Sequence, residues 1–207
     1  MLYPKINSIY KRDPATNFKT FLPEYSEPEF ELLADLPWEA TEKIDGTNIR
    51  IIWDGDTVTF GGRTDNAQIP AKLVTHLQET FTPNKFLSLN GSGDMILFGE
   101  GYGAGIQSAG GNYSKDQRFI LFDVAVGDWW LRWEDMQDVA NTMSIPLVHR
   151  FDDMNLLSAV YAVRTGLESV LGTGVAEGLV LRAPLGLKNR AGRRLITKVK
   201  ASDFQGQ

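Results

Sequence analysis

Hydrophobic and polar positions alternate in short blocks along this chain, and the period of each block predicts a strand or a helix. Apolar or β-branched runs at 49–53 and 58–60 flank Asp54-Gly55-Asp56. This pattern is typical of a β-hairpin, because Asp-Gly accepts the backbone conformation of a tight turn. Further strands are predicted at 95–98, 119–126, 178–181 and 195–199.

Other segments have apolar residues three or four positions apart, which is the spacing of one helix face. The predicted helices cover 70–81, 133–143 and 155–170. Residues 13–30 are rich in proline and glutamate and are predicted to form a loop. Antiparallel hairpins with interspersed helices indicate an α+β fold, with mostly antiparallel sheets flanked by helices.

Composition narrows the class of protein. The chain has 207 residues, 43% hydrophobic and 23% charged, which is enough for a normal core and predicts a single domain over 1–207. It has no cysteine, which excludes disulfides and thiol catalysis. No apolar run is long enough to predict a membrane span. The P-loop signature G-x-x-x-x-G-K-[ST] does not occur, which excludes P-loop NTPases.

Charge is unevenly distributed along the chain. The formal net charge of −5 argues against a protein that coats nucleic acid nonspecifically. Residues 178–200, however, contain no acidic residue. The basic residues of this stretch are Arg182, Lys188, Arg190, Arg193, Arg194, Lys198 and Lys200. Such a run is either a solvated face or a local phosphate-binding surface.

One candidate motif is Glu42-Lys43-Ile44-Asp45-Gly46-Thr47-Asn48, in which a lysine passes from a strand into a tight turn. In isolation, K-x-D-G is a weak pattern that is more typical of a surface turn with a solvated lysine. Two further motifs place acids beside apolar strands, Glu100 in a glycine-rich turn and Asp123 after Phe122. An acid in an apolar strand is costly without a partner, and an adjacent aromatic ring can stack on a nucleobase or pack in the core.

The last two motifs are Glu177-Gly178 and Lys198-Val199-Lys200. Successive side chains of a strand point to opposite faces, so Lys198 and Lys200 are predicted to share one face. Two lysines on one face repel each other, which favours an anion between them. The alternative interpretation is an exposed edge strand that carries lysine.

In this order along the chain, the motifs resemble those of the covalent nucleotidyltransferases, a superfamily of DNA ligases, RNA ligases and mRNA capping enzymes. Gly62-Arg63-Thr64 resembles the arginine element that follows the first motif. The resemblance covers 43–200 and implies the ligase adenylation-domain fold.

Asn48 favours the RNA ligase branch, because DNA ligases and capping enzymes usually carry arginine at this position. The sequence Lys-Ile-Asp-Gly-Thr-Asn, together with the opening Tyr3-Pro4-Lys5-Ile6, is similar to the RNA ligase 2 family. The chain ends soon after Lys200, so the resemblance implies a catalytic module without an OB domain or a C-terminal helical domain.

The resemblance also implies roles for individual residues. Lys43 would attack ATP and carry AMP covalently, in a site that includes Asp45, Lys198 and Lys200. Glu177 would organise Mg²⁺ or Mn²⁺. The expected ATP-binding residues are Glu42, Ile44, Asn48, Arg63, Glu100 for the ribose, Phe122 for adenine, Asp123 to orient Arg63 or Lys43, Lys198 and Lys200. The basic residues expected to contact nucleic acid are Lys188, Arg190, Arg193 and Arg194.

The implied reaction is ATP-dependent RNA joining, in which AMP passes from lysine to a 5′-phosphate before a 3′-hydroxyl displaces it. RNA with these ends is the expected partner, in a cytoplasmic phage or bacterial repair setting, with an accessory repair protein for the joining step as an option. The alternatives are a DNA ligase, a guanylyltransferase, a nucleotidyltransferase that depends on a partner, and a silent relative that only binds nucleotide or RNA.

Overall fold

Two five-stranded β-sheets organise the chain, each in its own unit. Our computed structural model describes residues 1–89 and 93–204. We name the units by their place in the sequence: the central unit consists of Met1–Tyr3 and Asp45–Val148, and the flanking unit consists of Pro4–Ile44 and His149–Gln207, on either side of 45–148 in the chain. The chain therefore leaves the flanking unit between Ile44 and Asp45. That 1–207 forms one nucleotidyltransferase domain stays a prediction.

The secondary structure mixes short strands with a few helices. In chain order, the strands are β1 (Asn7–Ser8), β2 (Tyr10–Arg12), β3 (Phe21–Tyr25), β4 (Trp38–Lys43), β5 (Thr47–Trp53), β6 (Val58–Gly62), β7 (Met95–Tyr102), β8 (Arg118–Val126), β9 (Trp129–Trp130), β10 (Arg150–Met154), β11 (Gly178–Arg182) and β12 (Ile196–Lys200). The α-helices are α1 (Pro28–Leu32), α2 (Ala71–Thr80), α3 (Pro83–Leu87), α4 (Trp133–Met143) and α5 (Leu156–Arg164). Within residues 1–89 and 93–204, no helix has the length and apolar character needed to cross a membrane.

The sheet of the central unit has the strand order β6-β5-β7-β8-β9, and every neighbouring pair is antiparallel. Helices α2 and α4 both contact β8. Strand β8 is buried along most of its length, which explains its nearly continuous apolar sequence. Its buried residues include Phe119, Leu121 and Val124.

The sheet of the flanking unit has the order β1-β12-β11-β4-β10. Strands β1 and β12 are parallel, and the other pairs are antiparallel. Helix α5 packs against β11 and β12, and its residues Leu156 and Val163 enter the same core as Leu179 and Val199. A separate two-stranded sheet, β2-β3, belongs to this unit.

The structure confirms most of the predicted elements. The hairpin around Asp54-Gly55-Asp56 is β5-β6, and each of the other predicted strands is present. The prediction for α4 has the observed bounds, and α2 differs from its prediction only at the ends. The α+β class with mostly antiparallel sheets is confirmed.

The helix predicted over 155–170 is too long, because α5 ends at Arg164. Gly166 has φ +92°, a left-handed conformation that glycine adopts without the steric penalty of a side chain. The Leu167 N–H donates to the Ala162 carbonyl at 3.0 Å, and the Gly166 N–H donates to the Val163 carbonyl at 3.3 Å. These two bonds form a Schellman motif, which satisfies the last carbonyls of the helix and ends it.

The prediction of a loop over 13–30 is wrong, because this segment contains β3 and α1. Its prolines occupy positions that both elements tolerate. Pro28 lies in the first turn of α1, where no N–H is required, and Pro23 lies in a two-stranded sheet. Phe30 anchors the short helix, because its side chain is fully buried in the core. Strand β10 and helix α3 were not predicted, and the polar sequence of β10 explains why it resembles a loop.

We expect Leu179→Ala to destabilise the protein by about 2–5 kcal/mol, since the substitution leaves a cavity beneath α5. Leu179 is 0% exposed, whereas Leu32 is 82% exposed, so Leu32→Ala provides a control with the same chemical change. Urea unfolding of both variants measures the effect. Equal midpoints for the two would contradict the assignment of Leu179 to the core.

Candidate active site

The register of the flanking sheet brings three motifs to the same end of adjacent strands. Lys43, the last residue of β4, lies opposite Gly178, the first residue of β11. Gly178 in turn lies opposite Lys200, the last residue of β12. Glu177 directly precedes β11. Residues far apart in sequence therefore meet at one sheet edge.

At this edge the Glu177 carboxylate is held between two lysines. Lys43 Nζ donates to Glu177 Oε2 at 2.7 Å, and Lys200 Nζ lies 2.7 Å from Glu177 Oε1. The three side chains are partly buried, with 22%, 16% and 30% of Lys43, Glu177 and Lys200 exposed. Partial burial strengthens these charge-assisted contacts relative to a surface pair, and it leaves each group accessible. We call these three residues the lysine–glutamate triad.

Lys198 occupies the position two residues before Lys200 on β12. Thr197 and Val199 are buried, whereas Lys198 and Lys200 are partly exposed, which confirms that the two lysines share a face. The anion beside Lys200 in this structure is Glu177. A ligand phosphate would therefore meet a lysine pair with one protein carboxylate next to it.

Gly178 is required by the close approach of β12. A Cβ at this position would lie 2.0 Å from the Val199 carbonyl oxygen and 2.8 Å from Lys200 Cα. Any larger residue would push β11 and β12 apart at the point where Glu177 meets Lys200. In the Glu-Gly motif, glycine at 178 therefore permits the close approach of β11 and β12 that places Glu177 next to Lys200.

Glu42, predicted to bind the nucleotide, points to the opposite face of β4 and is 2% exposed. Its carboxylate accepts hydrogen bonds from the Ser169 hydroxyl and from the N–H groups of Val170, at 3.0 Å, and Leu171, at 3.2 Å. Ile44, also predicted to bind the nucleotide, is buried with 3% exposed. In this structure Glu42 therefore anchors the segment that follows α5.

In the central unit, Asp45 and Gly46 lead into β5. A Cβ on Gly46 would lie 2.2 Å from the Gly101 carbonyl oxygen, so only glycine fits against β7. Asp45 N–H donates to the Tyr113 hydroxyl at 3.4 Å. The Tyr113 ring packs against Tyr102, and burial raises the pKa of the Tyr102 phenol, which stays neutral at physiological pH.

Asn48 and Glu100 are directly opposite each other on β5 and β7. Their side chains are therefore neighbours on one face of the sheet. Asn48 Oδ1 is buried and has no hydrogen-bond partner within the part of the chain that the structure describes. An unsatisfied buried acceptor is unfavourable, so this oxygen fits a donor supplied from outside the protein.

Arg63 follows β6 and is exposed, and it makes no ion pair or hydrogen bond within residues 1–89 and 93–204. Arg50, which sequence reasoning missed, contacts Gly62 directly before Arg63 and Asp65 two residues after it. Arg50 Nε donates to the Gly62 carbonyl at 2.8 Å, and its Nη2 donates to Asp65 at 2.8 Å. A charged residue within the apolar run of β5 was the available signal, since a buried charge needs partners.

Phe122 occupies an irregular position in β8, where the register with β7 shifts by one residue. Such a bulge redirects a side chain, and Phe122 is partly exposed between buried neighbours. The adjacent Asp123 is fully buried and accepts a hydrogen bond from the Tyr3 hydroxyl at 2.8 Å. The predicted contact from Asp123 to Arg63 is not present, because Arg63 has no partner among the described residues.

The predicted nucleic-acid residues lie on a short hairpin between β11 and β12. The backbones of Lys188 and Arg194 pair as an isolated antiparallel β-bridge. Within the turn, the Asn189 side chain accepts hydrogen bonds from the N–H groups of Ala191 and Arg193, both at 3.0 Å. Lys188, Arg190 and Arg193 are exposed, and Arg194 is partly buried. An ordered turn therefore presents three cations to solvent.

No group of three or more His, Asp or Glu side chains in the described ranges is arranged to hold a metal ion. Mg²⁺ usually keeps several waters and binds only one or two carboxylates plus substrate phosphates. Each oxygen of Glu177 accepts from one lysine, and a carboxylate has about four lone-pair sites, so acceptor capacity remains. The donor set at Glu177 therefore fits such an ion.

A family model described as RNA ligase matches residues 36–200 of this chain. No curated protein sequence gives a significant match. Among solved structures, the chain is similar to a Naegleria gruberi RNA ligase with PPi, with a TM-score of 0.71, 18% identity, and coverage of 99% of this chain and 57% of that chain. A mutant of that ligase with AMP and Mn gives 0.65 at 18% identity, covering 98% and 58%.

A further mutant of the same ligase with ATP and Mn gives a TM-score of 0.67 at 18% identity, covering 98% of this chain and 57% of that chain. These likenesses show a common fold, which agrees with the predicted ligase adenylation-domain fold. The chain spans less than two thirds of the length of these solved relatives.

We expect Glu42→Gln to destabilise the protein by about 1–3 kcal/mol, because an amide cannot accept all the hydrogen bonds that the buried carboxylate accepts. Urea unfolding measures the loss. Glu168→Gln is the matched control, since Glu168 is exposed on the neighbouring segment. The anchoring role of Glu42 would be refuted by a midpoint equal to that of the control.

Proposed function

The chain belongs to the RNA ligase family, and from this premise we propose that it is an ATP-dependent RNA ligase that forms a covalent lysine–AMP intermediate on Lys43. The observation that carries the proposal is the lysine–glutamate triad, in which Lys43 and Lys200 share the Glu177 carboxylate. A nucleophilic amine, a second cation and a carboxylate at one sheet edge suit the transfer of a phosphoryl group.

In the first step, Lys43 Nζ bonds to the α-phosphorus of ATP while the bond from that phosphorus to the pyrophosphate oxygen breaks. The attacking amine must lose a proton, and Glu177 Oε2, 2.7 Å away, is placed to take it. Lys198 and Lys200 then stabilise the negative charge that develops on the phosphate oxygens. The products are a lysine–AMP phosphoramidate and pyrophosphate.

A divalent cation, Mg²⁺ or Mn²⁺, would be held by Glu177, and when bound it would supply positive charge beside the phosphates. Lys200 keeps Glu177 oriented through its contact with Oε1. In this arrangement Glu177, directly before β11, serves both a lysine and an ion.

For the adenosine part of ATP, we propose Asn48, Glu100 and Phe122. The buried, unsatisfied Asn48 Oδ1 is an acceptor for a hydroxyl or amine donor, and Glu100 beside it accepts from ribose hydroxyls. Phe122, redirected by the β8 bulge, offers a ring for stacking on the base. Arg63, exposed and braced by Arg50, would bind a phosphate.

In the later steps, AMP would pass to the 5′-phosphate of an RNA strand, and a 3′-hydroxyl would then attack that activated end and release AMP. The exposed cations of the 188–194 hairpin support backbone contact with the RNA, because phosphate contacts position a strand without reading its sequence. RNA repair in the cytoplasm, and an accessory protein for joining, stay predictions.

We expect intact mass spectrometry to detect an AMP-sized gain when the protein is incubated with ATP and Mg²⁺. Lys43→Ala should abolish the gain because it removes the nucleophile, whereas Lys72→Ala, which removes an exposed lysine of α2, should retain it. GTP in parallel distinguishes ATP use from guanylyl transfer.

The outcome that would overturn the proposal is an absence of any adduct from folded protein that carries no pre-bound AMP. The family member would then be a relative that binds nucleotide or RNA without the reaction. An adduct that persists in Lys43→Ala would show that another side chain is the nucleophile.

We expect the double variant Arg190→Ala/Arg193→Ala to weaken sealing of nicked RNA about tenfold or more, because it removes two cations that would neutralise RNA phosphates. Formation of the AMP adduct should change far less. Sealing by protein adenylated beforehand measures the joining steps separately. Arg164→Ala, at the exposed end of α5, is the control. An equal fall in adduct formation would place the hairpin at the ATP site instead.

A further inference from the structure

A second basic surface lies in the flanking unit, away from the 188–194 hairpin in sequence. It is a pocket of about 680 Å³ that is open to solvent. Its walls come from the segment 5–12, from residues of the β2-β3 sheet and its connection, and from β12 with the turn that follows. The cations that line it are Lys5, Lys11, Arg12, Lys19, Lys198 and Lys200.

The charge of this pocket contrasts with that of the whole chain, whose formal net charge is −5. Asp203 is the acidic residue in its lining, and both of its carboxylate oxygens are already engaged. Arg12 Nη2 donates to Asp203 Oδ1 at 2.5 Å, and the Lys200 N–H donates to Asp203 Oδ2 at 3.1 Å. Six cations thus line a cavity whose lining contains one carboxylate, and Glu24 and Glu177 pair with two of these cations from outside the lining. The remaining excess of positive charge favours an anionic ligand.

Arg12 forms a rigid part of the wall. Besides Asp203, it donates to the Phe18 carbonyl and to Ser8 Oγ, both at 3.3 Å, and its guanidinium lies 4.9 Å from the centre of the Phe21 ring. These contacts fix the β2-β3 hairpin against the turn after β12. This part of the wall is therefore held in place by packed and hydrogen-bonded side chains.

Two of the lining lysines, Lys5 and Lys19, are exposed and make no ion pair or hydrogen bond anywhere in the described residues 1–89 and 93–204. Lys11 pairs with Glu24 at 2.7 Å, but both side chains are more than half exposed, and a pair of this kind contributes little. Lysines without partners at the rim of a basic pocket are suited to contact a mobile polyanion.

The pocket is connected to the proposed chemistry through Lys198 and Lys200, which both line it. Lys200 also contacts Glu177, which accepts the hydrogen bond from Lys43. A phosphate chain in this pocket would therefore reach a member of the triad. The β2-β3 wall lies outside residues 36–200, so the family match assigns it no role.

We propose that this pocket binds the phosphate backbone of the RNA strand close to its reacting end, which rests on the proposed ligase function. Phosphate groups could also come from the polyphosphate of ATP. The RNA backbone fits better, because the cations are spread over three segments of the chain, which suits an extended strand, and because the cavity is open to solvent.

The test is the affinity of the protein for a 5′-phosphorylated single-stranded RNA, measured by fluorescence anisotropy over a series of salt concentrations. In the double variant Lys5→Ser/Lys19→Ser, we expect affinity to fall on the order of tenfold. The slope of log affinity against log salt should become shallower by roughly 0.7 for each phosphate that the variant no longer neutralises. The control Lys72→Ser/Lys115→Ser removes two exposed lysines of the central unit and should match the wild type.

Affinity and slope equal to those of the control would overturn the proposal. The ATP alternative is tested by the concentration of ATP that gives half-maximal AMP adduct. If the double variant raised this concentration and left RNA affinity unchanged, the pocket would belong to the nucleotide, and the proposal would be wrong. RNA binding requires no adduct, so failure of the ligase proposal would appear separately as absence of the AMP mass gain.

Discussion

The contact on which the proposed chemistry depends is the Glu177 carboxylate held between Lys43 and Lys200. Without Glu177, two partly buried ammonium groups would face each other at the end of one sheet, which is electrostatically unfavourable. With the Glu177 carboxylate between them, the two ammonium groups can lie at the same end of the sheet, and the three side chains together keep a net positive charge. Gly178 makes this possible, because no side chain fits beneath the Val199 carbonyl. Charge balance therefore requires Glu177 at this end of the sheet, and backbone packing requires Gly178 directly after it.

Two neighbouring residues of β4, Glu42 and Lys43, make different kinds of contact. Glu42 and Lys43 point to opposite faces of the strand, as the period of a strand requires. Glu42 is buried and binds the segment after α5, whereas Lys43 is partly exposed and meets Glu177. Hydrogen bonds to Glu42 connect this end of β4 to the segment after α5, one residue before Lys43. A contact with a structural role thus lies one residue away from the proposed nucleophile.

Much of this arrangement could be predicted from sequence, and the limits have physical reasons. The period of two in Lys198-Val199-Lys200 predicted the shared face, and the apolar runs predicted the strands, because both patterns are local. The pairing of Glu177 with two lysines depends on register between distant strands, which no local pattern reports. Arg50 was missed because its partners, Gly62 at the end of β6 and Asp65 after it, are brought near only by the pairing of β5 with β6. The β2-β3 hairpin was missed because its prolines were interpreted as breakers.

The uneven distribution of charge explains how a chain with a net negative charge could bind a polyanion. Electrostatic attraction acts over about a Debye length, roughly 10 Å at moderate salt, so local clusters matter more than the total charge. In the flanking unit, the pocket lined by Lys5 and Lys19 and the hairpin that contains Arg190 are two such clusters of cations. The excess of acidic residues elsewhere opposes nonspecific attachment. Binding of a strand would then require contact with defined cation clusters, and the cluster that includes Lys200 leads directly to the triad.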